Sequence, residues 1–126
     1  MAPAKLEHVN ITVTDNAATA QHLIEIYGWH QRWQGPSSDG GHSIHVGTDA
    51  HYIAVYTPPP NCGRETRFEK GAPLNHICLE VADLDATQAR LIAAGYVPFN
   101  HGDYEPGRRF YYYDDNGIEY EVVSYQ

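Results

Sequence analysis

The sequence predicts an α+β fold built from two copies of a strand–helix–three-strand unit. Two observations carry that expectation. The first is a repeat: Leu74-Asn75-His76-Ile77-Cys78-Leu79-Glu80-Val81-Ala82-Asp83 restates Leu6-Glu7-His8-Val9-Asn10-Ile11-Thr12-Val13-Thr14-Asp15. Leu6 meets Leu74, His8 meets His76, Val13 meets Val81 and Asp15 meets Asp83, all at an offset of 68 (74 − 6). The offset persists further on, where Leu23 meets Leu91 and Ile24 meets Ile92. A fixed offset across a strand-like and a helix-like run points to duplication of one structural unit. The second observation is that both halves show the same order of hydrophobic periods.

Residues 5–14 alternate, with Leu6, Val9, Ile11 and Val13 apolar and His8, Asn10 and Thr12 polar, which is a two-faced strand. Asp15 caps a helix from about Ala17 to Tyr27, with Ala20, Leu23, Ile24 and Tyr27 as its buried stripe and Gly28 as its stop. Trp29–Gln34 reads as a strand, and the turn-rich stretch 35–41 as a loop. Strands near Ser43–Val46 and His51–Tyr56 are joined by a turn at Gly47–Ala50. The segment from Pro58 to Lys70 connects the halves. Then Leu74–Val81 is a strand, Asp83 a cap, and Ala86–Ala94 a helix burying Leu91 and Ile92 and ended by Gly95. Tyr96–Asn100 is a strand, His101–Gly107 a loop, Arg109–Tyr113 a strand, Asp114–Gly117 a turn and Ile118–Ser124 the last strand. Module one therefore spans about 5–57 and module two about 73–124, within one domain over residues 1–126.

Length and composition bound the function. A chain of 126 residues with 42% apolar and 19% charged residues buries a real core. The formal net charge of −8 argues against a nucleic acid or an anionic membrane as partner. No apolar run approaches the roughly 20 residues that span a bilayer, and the N-terminus lacks a signal-peptide pattern. Two cysteines, Cys62 in a Pro/Gly loop and Cys78 in a strand, read as free thiols of a reduced, cytoplasmic protein. Eight histidines bring metal into consideration.

His8 and His76 lie on the polar faces of their strands. In the last strand Glu119 and Glu121 share one face. Two imidazoles and a carboxylate arranged facially suit Fe(II), Mn(II) or a related divalent ion and leave positions open for substrate. The competing explanation is two ordinary strand histidines bonded to neighbours, and the duplication of their positions favours metal.

With those residues in place, the chain resembles the vicinal oxygen chelate superfamily: paired βαβββ units, a histidine opening each unit, and a Gly-x-x-x-Glu strand at the end, here Gly117 to Glu121. That family holds glyoxalase I, methylmalonyl-CoA epimerase, type I extradiol dioxygenases, fosfomycin-resistance transferases and bleomycin-binding proteins. The resemblance covers essentially the whole chain and implies two paired modules forming a curved mixed sheet. It implies metal ligands at His8, His76 and Glu121, with Fe(II) or Mn(II) favoured over Zn(II) or Ni(II). Glyoxalase I and the epimerase use a fourth protein ligand where this chain has Ala54, and a methyl group cannot coordinate. Bleomycin-binding members lack the metal triad that this chain keeps.

The stretch Tyr111 to Glu121 resembles the dioxygenase signature Tyr-x-x-Asp-Pro-x-Gly-x-x-x-Glu. Tyr111, Asp114, Gly117 and Glu121 fit it, and Asp115 replaces the proline. The resemblance implies a catalytic role for Tyr111 and an acid–base role for an upstream histidine, for which His101 is the candidate at a slightly different spacing. Asn10, Thr12, Tyr52, Ala54, Tyr56, Cys78, Arg109 and Tyr113 fall on the inferred pocket-facing sides. Arg108 and Arg109 beside Tyr104 are candidates for an anionic substrate, with solvated charge as the alternative. His45 and His51 are placed to face each other across a hairpin, as surface residues. The expectation is a homodimeric metalloenzyme that binds a small substrate through vicinal oxygens, with extradiol-dioxygenase-like chemistry first. A glyoxalase-like lyase, a fosfomycin-type transferase and a non-catalytic small-molecule binding or resistance protein are the alternatives.

Overall fold

A computed structural model describes residues 2–60, 67–104 and 107–126. Cys62 lies outside the described residues. The elements follow the expected order: β1 (His8–Thr12), α1 (Asn16–Tyr27), β2 (His30–Pro36), β3 (His42–Gly47), β4 (Tyr52–Thr57), β5 (Ile77–Glu80), α2 (Leu84–Ala93), β6 (Phe99–Tyr104), β7 (Gly107–Tyr113) and β8 (Glu119–Ser124). They fall into two compact units, Met1–Thr66 and Arg67–Gln126.

In the first unit the strand order is β1-β4-β3-β2. β1 runs parallel to β4, because α1 carries the chain back to the sheet, while β2, β3 and β4 form an antiparallel meander. Ile11, Ile44, Val46, Ile53 and Val55 are buried with Ala20, Leu23 and Ile26. Each such aliphatic side chain contributes about 1.5–3 kcal/mol when fully buried. The predicted stripe shifts: Ile26 is buried, while Ile24 and Tyr27 are only half-buried. Asn16, 7% exposed, ties the helix start to the sheet by donating from Nδ2 to the carbonyls of His42 at 2.9 Å and Val55 at 3.1 Å. Gly28 takes the left-handed conformation, φ 68°, and its N–H reaches Ile24 O at 3.1 Å, a helix end that glycine permits without strain.

The second unit repeats the scheme with the order β5-β8-β7-β6. Phe110, Tyr112, Ile118, Tyr120 and Val122 form its core with Leu84 and Leu91. Tyr112 and Tyr120 stack at 5.3 Å. Ile92, expected inside, is 56% exposed. The helix needs only Leu84, Thr87 and Leu91 for its buried stripe, and Ile92 is a quarter-turn away from Leu91.

The caps are duplicated as well. Asp15 Oδ1 accepts from Ala18 N at 3.1 Å and Asp83 Oδ1 from Ala86 N at 3.0 Å. Asp15→Ala and Asp83→Ala are each expected to lower stability by about 1 kcal/mol, read as a shift in the urea midpoint. A loss below about 0.3 kcal/mol at both positions would show that these caps contribute little. Among the described residues, no helix is long and apolar enough to cross a membrane.

Candidate functional site

The registers show which positions of the two units correspond. In the first, Asn10 lies opposite Ala54, which lies opposite His45. In the second, Cys78 lies opposite Glu121, which lies opposite Tyr111. Asn10 and Cys78 are related by the offset of 68, so Ala54 is the counterpart of Glu121 and His45 that of Tyr111. Each unit thus has one sheet face built on a common plan and filled with different chemistry.

On the face of the second unit, His76 Nε2 lies 3.1 Å from Glu121 Oε1. The other carboxylate oxygen, Oε2, accepts from Arg109 Nη1 at 3.0 Å. Glu121 is 7% exposed and Glu119, two residues earlier on the same face, 3%. Buried carboxylates need partners. Glu119 has Lys70, which bonds its Oε2, and His76 Nδ1 at 3.9 Å. Arg109 also donates from Nη2 to Gly107 O at 3.3 Å and lies over the Tyr104 ring, 5.0 Å from its centroid. Arg108 points elsewhere, to Asp85 at 2.9 Å.

His76 Nδ1 contacts Asn75 Oδ1 at 2.7 Å. An amide oxygen accepts only, so Nδ1 carries the hydrogen in this contact. Nε2 of a neutral ring then presents a lone pair to Glu121 Oε1, and two acceptors 3.1 Å apart need a proton or a cation between them. The donor set fits a divalent metal for that reason.

Tyr111 and Cys78 lie against the same carboxylate. Burial, then Glu121, pushes the Tyr111 hydroxyl above its ordinary value. Partial burial, then the Glu121 charge, pushes the Cys78 thiol up to about 11, the opposite direction from an activated thiolate. His76 meets the Tyr111 ring edge-on at 5.9 Å. Tyr113 stacks on Phe99 at 5.3 Å.

His101 is not brought to this face. Phe99 pairs with Tyr111 and Gly102 with Arg109, so Asn100 and His101 together oppose Phe110. This is a β-bulge, with Asn100 at φ 58°, and it inverts the alternation. His101 consequently lies against α2, with Nε2 2.5 Å from Gln88 Oε1 and its ring 5.8 Å from that of Phe110. Where a loop was expected from His101, strand β6 runs on to Tyr104.

On the face of the first unit, His8, Tyr52 and His45 form a ladder of stacked rings, 4.8 and 4.6 Å between centroids. Trp33, 48% exposed, extends it 5.0 Å from His45. Arg32 lies over Tyr52 at 4.3 Å. His45 thus meets Tyr52 and Trp33, not His51, which packs near Trp29 at 5.8 Å. Partial burial, then His8 and Arg32, holds the His45 ring below its ordinary value. Asn10 and Thr12 share this face, the latter opposite Tyr56, whose hydroxyl bonds Asp39. His8 Nδ1 contacts Glu7 Oε1 at 2.7 Å. That contact holds the Glu7 carboxyl below its usual range.

Sequence reasoning missed Lys70, Glu7, Asn75, Arg32 and Trp33. Glu7 and Asn75 were available as matched positions, each directly before a duplicated histidine. Asp114, matched to a family signature, has a structural role: its Oδ1 accepts from the backbone of Asn116 and Ile118, each at 2.9 Å. Among the described residues, no group of three or more His, Cys, Asp or Glu side chains is gathered as a metal cluster.

Residues 7–112 match the family described as the glyoxalase/bleomycin resistance protein/dioxygenase superfamily. No curated protein matches the chain. Among solved structures, a glyoxylase/bleomycin resistance protein/dioxygenase domain from Frankia sp. EAN1pec superposes with a TM-score of 0.82 at 22% identity, covering 98% of both chains. The fosfomycin resistance protein FosX from Listeria monocytogenes, complexed with Mn(II) and sulfate, gives 0.71 at 17% identity over 98% of this chain and 93% of that one. TnmS3, an antibiotic-binding protein from Streptomyces sp. CB03234, gives 0.71 at 18% identity over 98% of both.

Proposed function

This chain belongs to the glyoxalase/bleomycin resistance protein/dioxygenase superfamily, and we propose that it is a divalent-metal-dependent enzyme acting on a small, anionic, oxygen-rich substrate. The observation that carries this reading is the approach of His76 Nε2 to Glu121 Oε1, 3.1 Å apart, on a largely buried strand face. In this reading His76 and Glu121 supply two ligands and His8 the third, and Mn(II) or Fe(II) suits an imidazole and carboxylate set. The bound ion supplies Lewis acidity and a template for two adjacent substrate oxygens.

The protein's own groups define the rest. Arg109 holds Glu121 by its second oxygen, leaving the first for the ion. It also places a permanent positive charge beside the site, which favours a phosphonate- or carboxylate-bearing ligand. Tyr111, with its hydroxyl kept protonated, donates to a substrate oxygen. Ala54 gives the first unit no counterpart of Glu121, so the ligand set stays at three. Ring cleavage of the dioxygenase type loses its acid–base candidate, because His101 faces α2. Lyase or transferase chemistry on an anionic substrate is the reading we favour. A second reading, a non-catalytic binder of planar molecules, has the ring ladder of Trp33, His45, Tyr52 and His8 in its favour.

The test is calorimetry with Mn(II), followed by titration of the loaded and metal-free protein with a small hydroxyphosphonate, a hydroxyketone and a catechol. The expected result is one Mn(II) per chain and phosphonate binding that requires the metal. Absence of metal binding, together with metal-independent binding of flat aromatic compounds, would replace the enzyme reading with the binding protein. Oxygen uptake by an Fe(II)–catechol complex would restore the dioxygenase.

A further inference from the structure

Two contacts outside the ligand set recur at matched positions. His8 Nδ1 lies 2.7 Å from Glu7 Oε1, and His76 Nδ1 lies 2.7 Å from Asn75 Oδ1. Glu7 and Asn75 are related by the same offset of 68 that relates the histidines. Successive residues of a regular strand point to opposite faces, so neighbours such as these do not ordinarily meet. Here β5 starts at Ile77 and β1 at His8, which leaves each preceding residue outside the pleat and free to turn its side chain back. The duplicated feature is therefore an oxygen held on Nδ1 of each ring, supplied by a carboxylate in one unit and an amide in the other.

We infer that Glu7 and Asn75 are positioning residues that accept the Nδ1 hydrogen of His8 and His76, fixing Nε2 as the atom that ligates the metal. The inference rests on the metal-centre reading above. A hydrogen bond at one ring nitrogen selects the tautomer, sets the ring's rotation and raises the basicity of the other nitrogen. The two residues differ in charge. Glu7 also lies 3.5 Å from the Tyr52 hydroxyl, on the ring that stacks against His8, so it orders two members of the ladder. Asn75 adds no charge at His76, where Glu119 and Glu121 already bring two carboxylates. A third acidic group there would add some repulsion, and an amide oxygen gives the orientation without it.

The experiment combines two measurements on Glu7→Ala, Glu7→Gln, Asn75→Ala and Asn75→Asp. Nitrogen-15 NMR of the metal-free protein, about two units above the ordinary imidazole pKa, reads the ring protons directly. In wild type, His8 and His76 should each keep a proton on Nδ1, and in each alanine variant the following ring should shift toward Nε2–H. Mn(II) affinity should fall about 10–100-fold in each alanine variant, the usual cost of removing such a partner. Glu7→Gln and Asn75→Asp, which keep an acceptor oxygen, should recover most of the loss. A bare Nδ1 in the wild-type rings, or alanine variants that keep both tautomer and affinity, would overturn the inference while leaving the metal centre standing. Wild type that binds no Mn(II) would overturn the metal-centre reading, and this inference with it.

Discussion

Glu121→Ala is expected to weaken Mn(II) binding by more than the 10–100-fold typical of losing an outer partner, placing it beyond calorimetric detection. Glu121 is the only anionic member of the proposed set, and its Oε1 is the atom that His76 Nε2 approaches. His76→Ala should have a comparable effect, since it removes the facing nitrogen. Glu121→Gln serves as the control for folding: it keeps volume and hydrogen bonding near Arg109 and loses the charge that draws the ion. It should fold like wild type by circular dichroism and still bind Mn(II) poorly. Wild-type affinity in both Glu121→Gln and His76→Ala would place the metal, if any, somewhere else.

The second large effect concerns stability. Arg109→Met is expected to cost about 3–5 kcal/mol, the range for removing one partner of a buried ion pair. The guanidinium contacts Glu121 at 3.0 Å, and the side chains of both residues are largely buried, 15% and 9% exposed. Removing Arg109 strips Glu121 of the guanidinium that bonds its Oε2 and leaves its charge close to Glu119. The loss should shrink in the Arg109→Met, Glu121→Gln double variant, because the stranded charge is then absent. Urea denaturation measures both. Equal losses in the single and the double variant would show that Arg109 acts through its packing against Tyr104 and not through the carboxylate. Metal bound to Glu121 supplies positive charge in its place, so Mn(II) should stabilise Arg109→Met more than wild type.

Much of this protein was legible because duplication and alternation are properties of the chain itself. The offset of 68 exposes two modules, and period-two patterns mark strands whose polar faces carry His8, His76, Glu119 and Glu121. Asp15 and Asp83 announce their helices because a capping carboxylate acts within three residues of its own position. These features depend on neighbours close in sequence or on a repeat that the eye can align.

Tertiary structure alone decided what long-range register controls. One extra residue at Asn100 turns His101 to the helix side of its sheet, and nothing in the alternation of Phe99 to Asp103 announces it. The pairing of Arg109 with Glu121 across β7 and β8, and of Lys70 with Glu119, depends on strands that only folding brings side by side. Glu119 and Glu121 read as one polar strand face, and only the fold shows that both are buried. Partners distant in sequence neutralise them there, and burial is a property of what packs on a residue rather than of the residue.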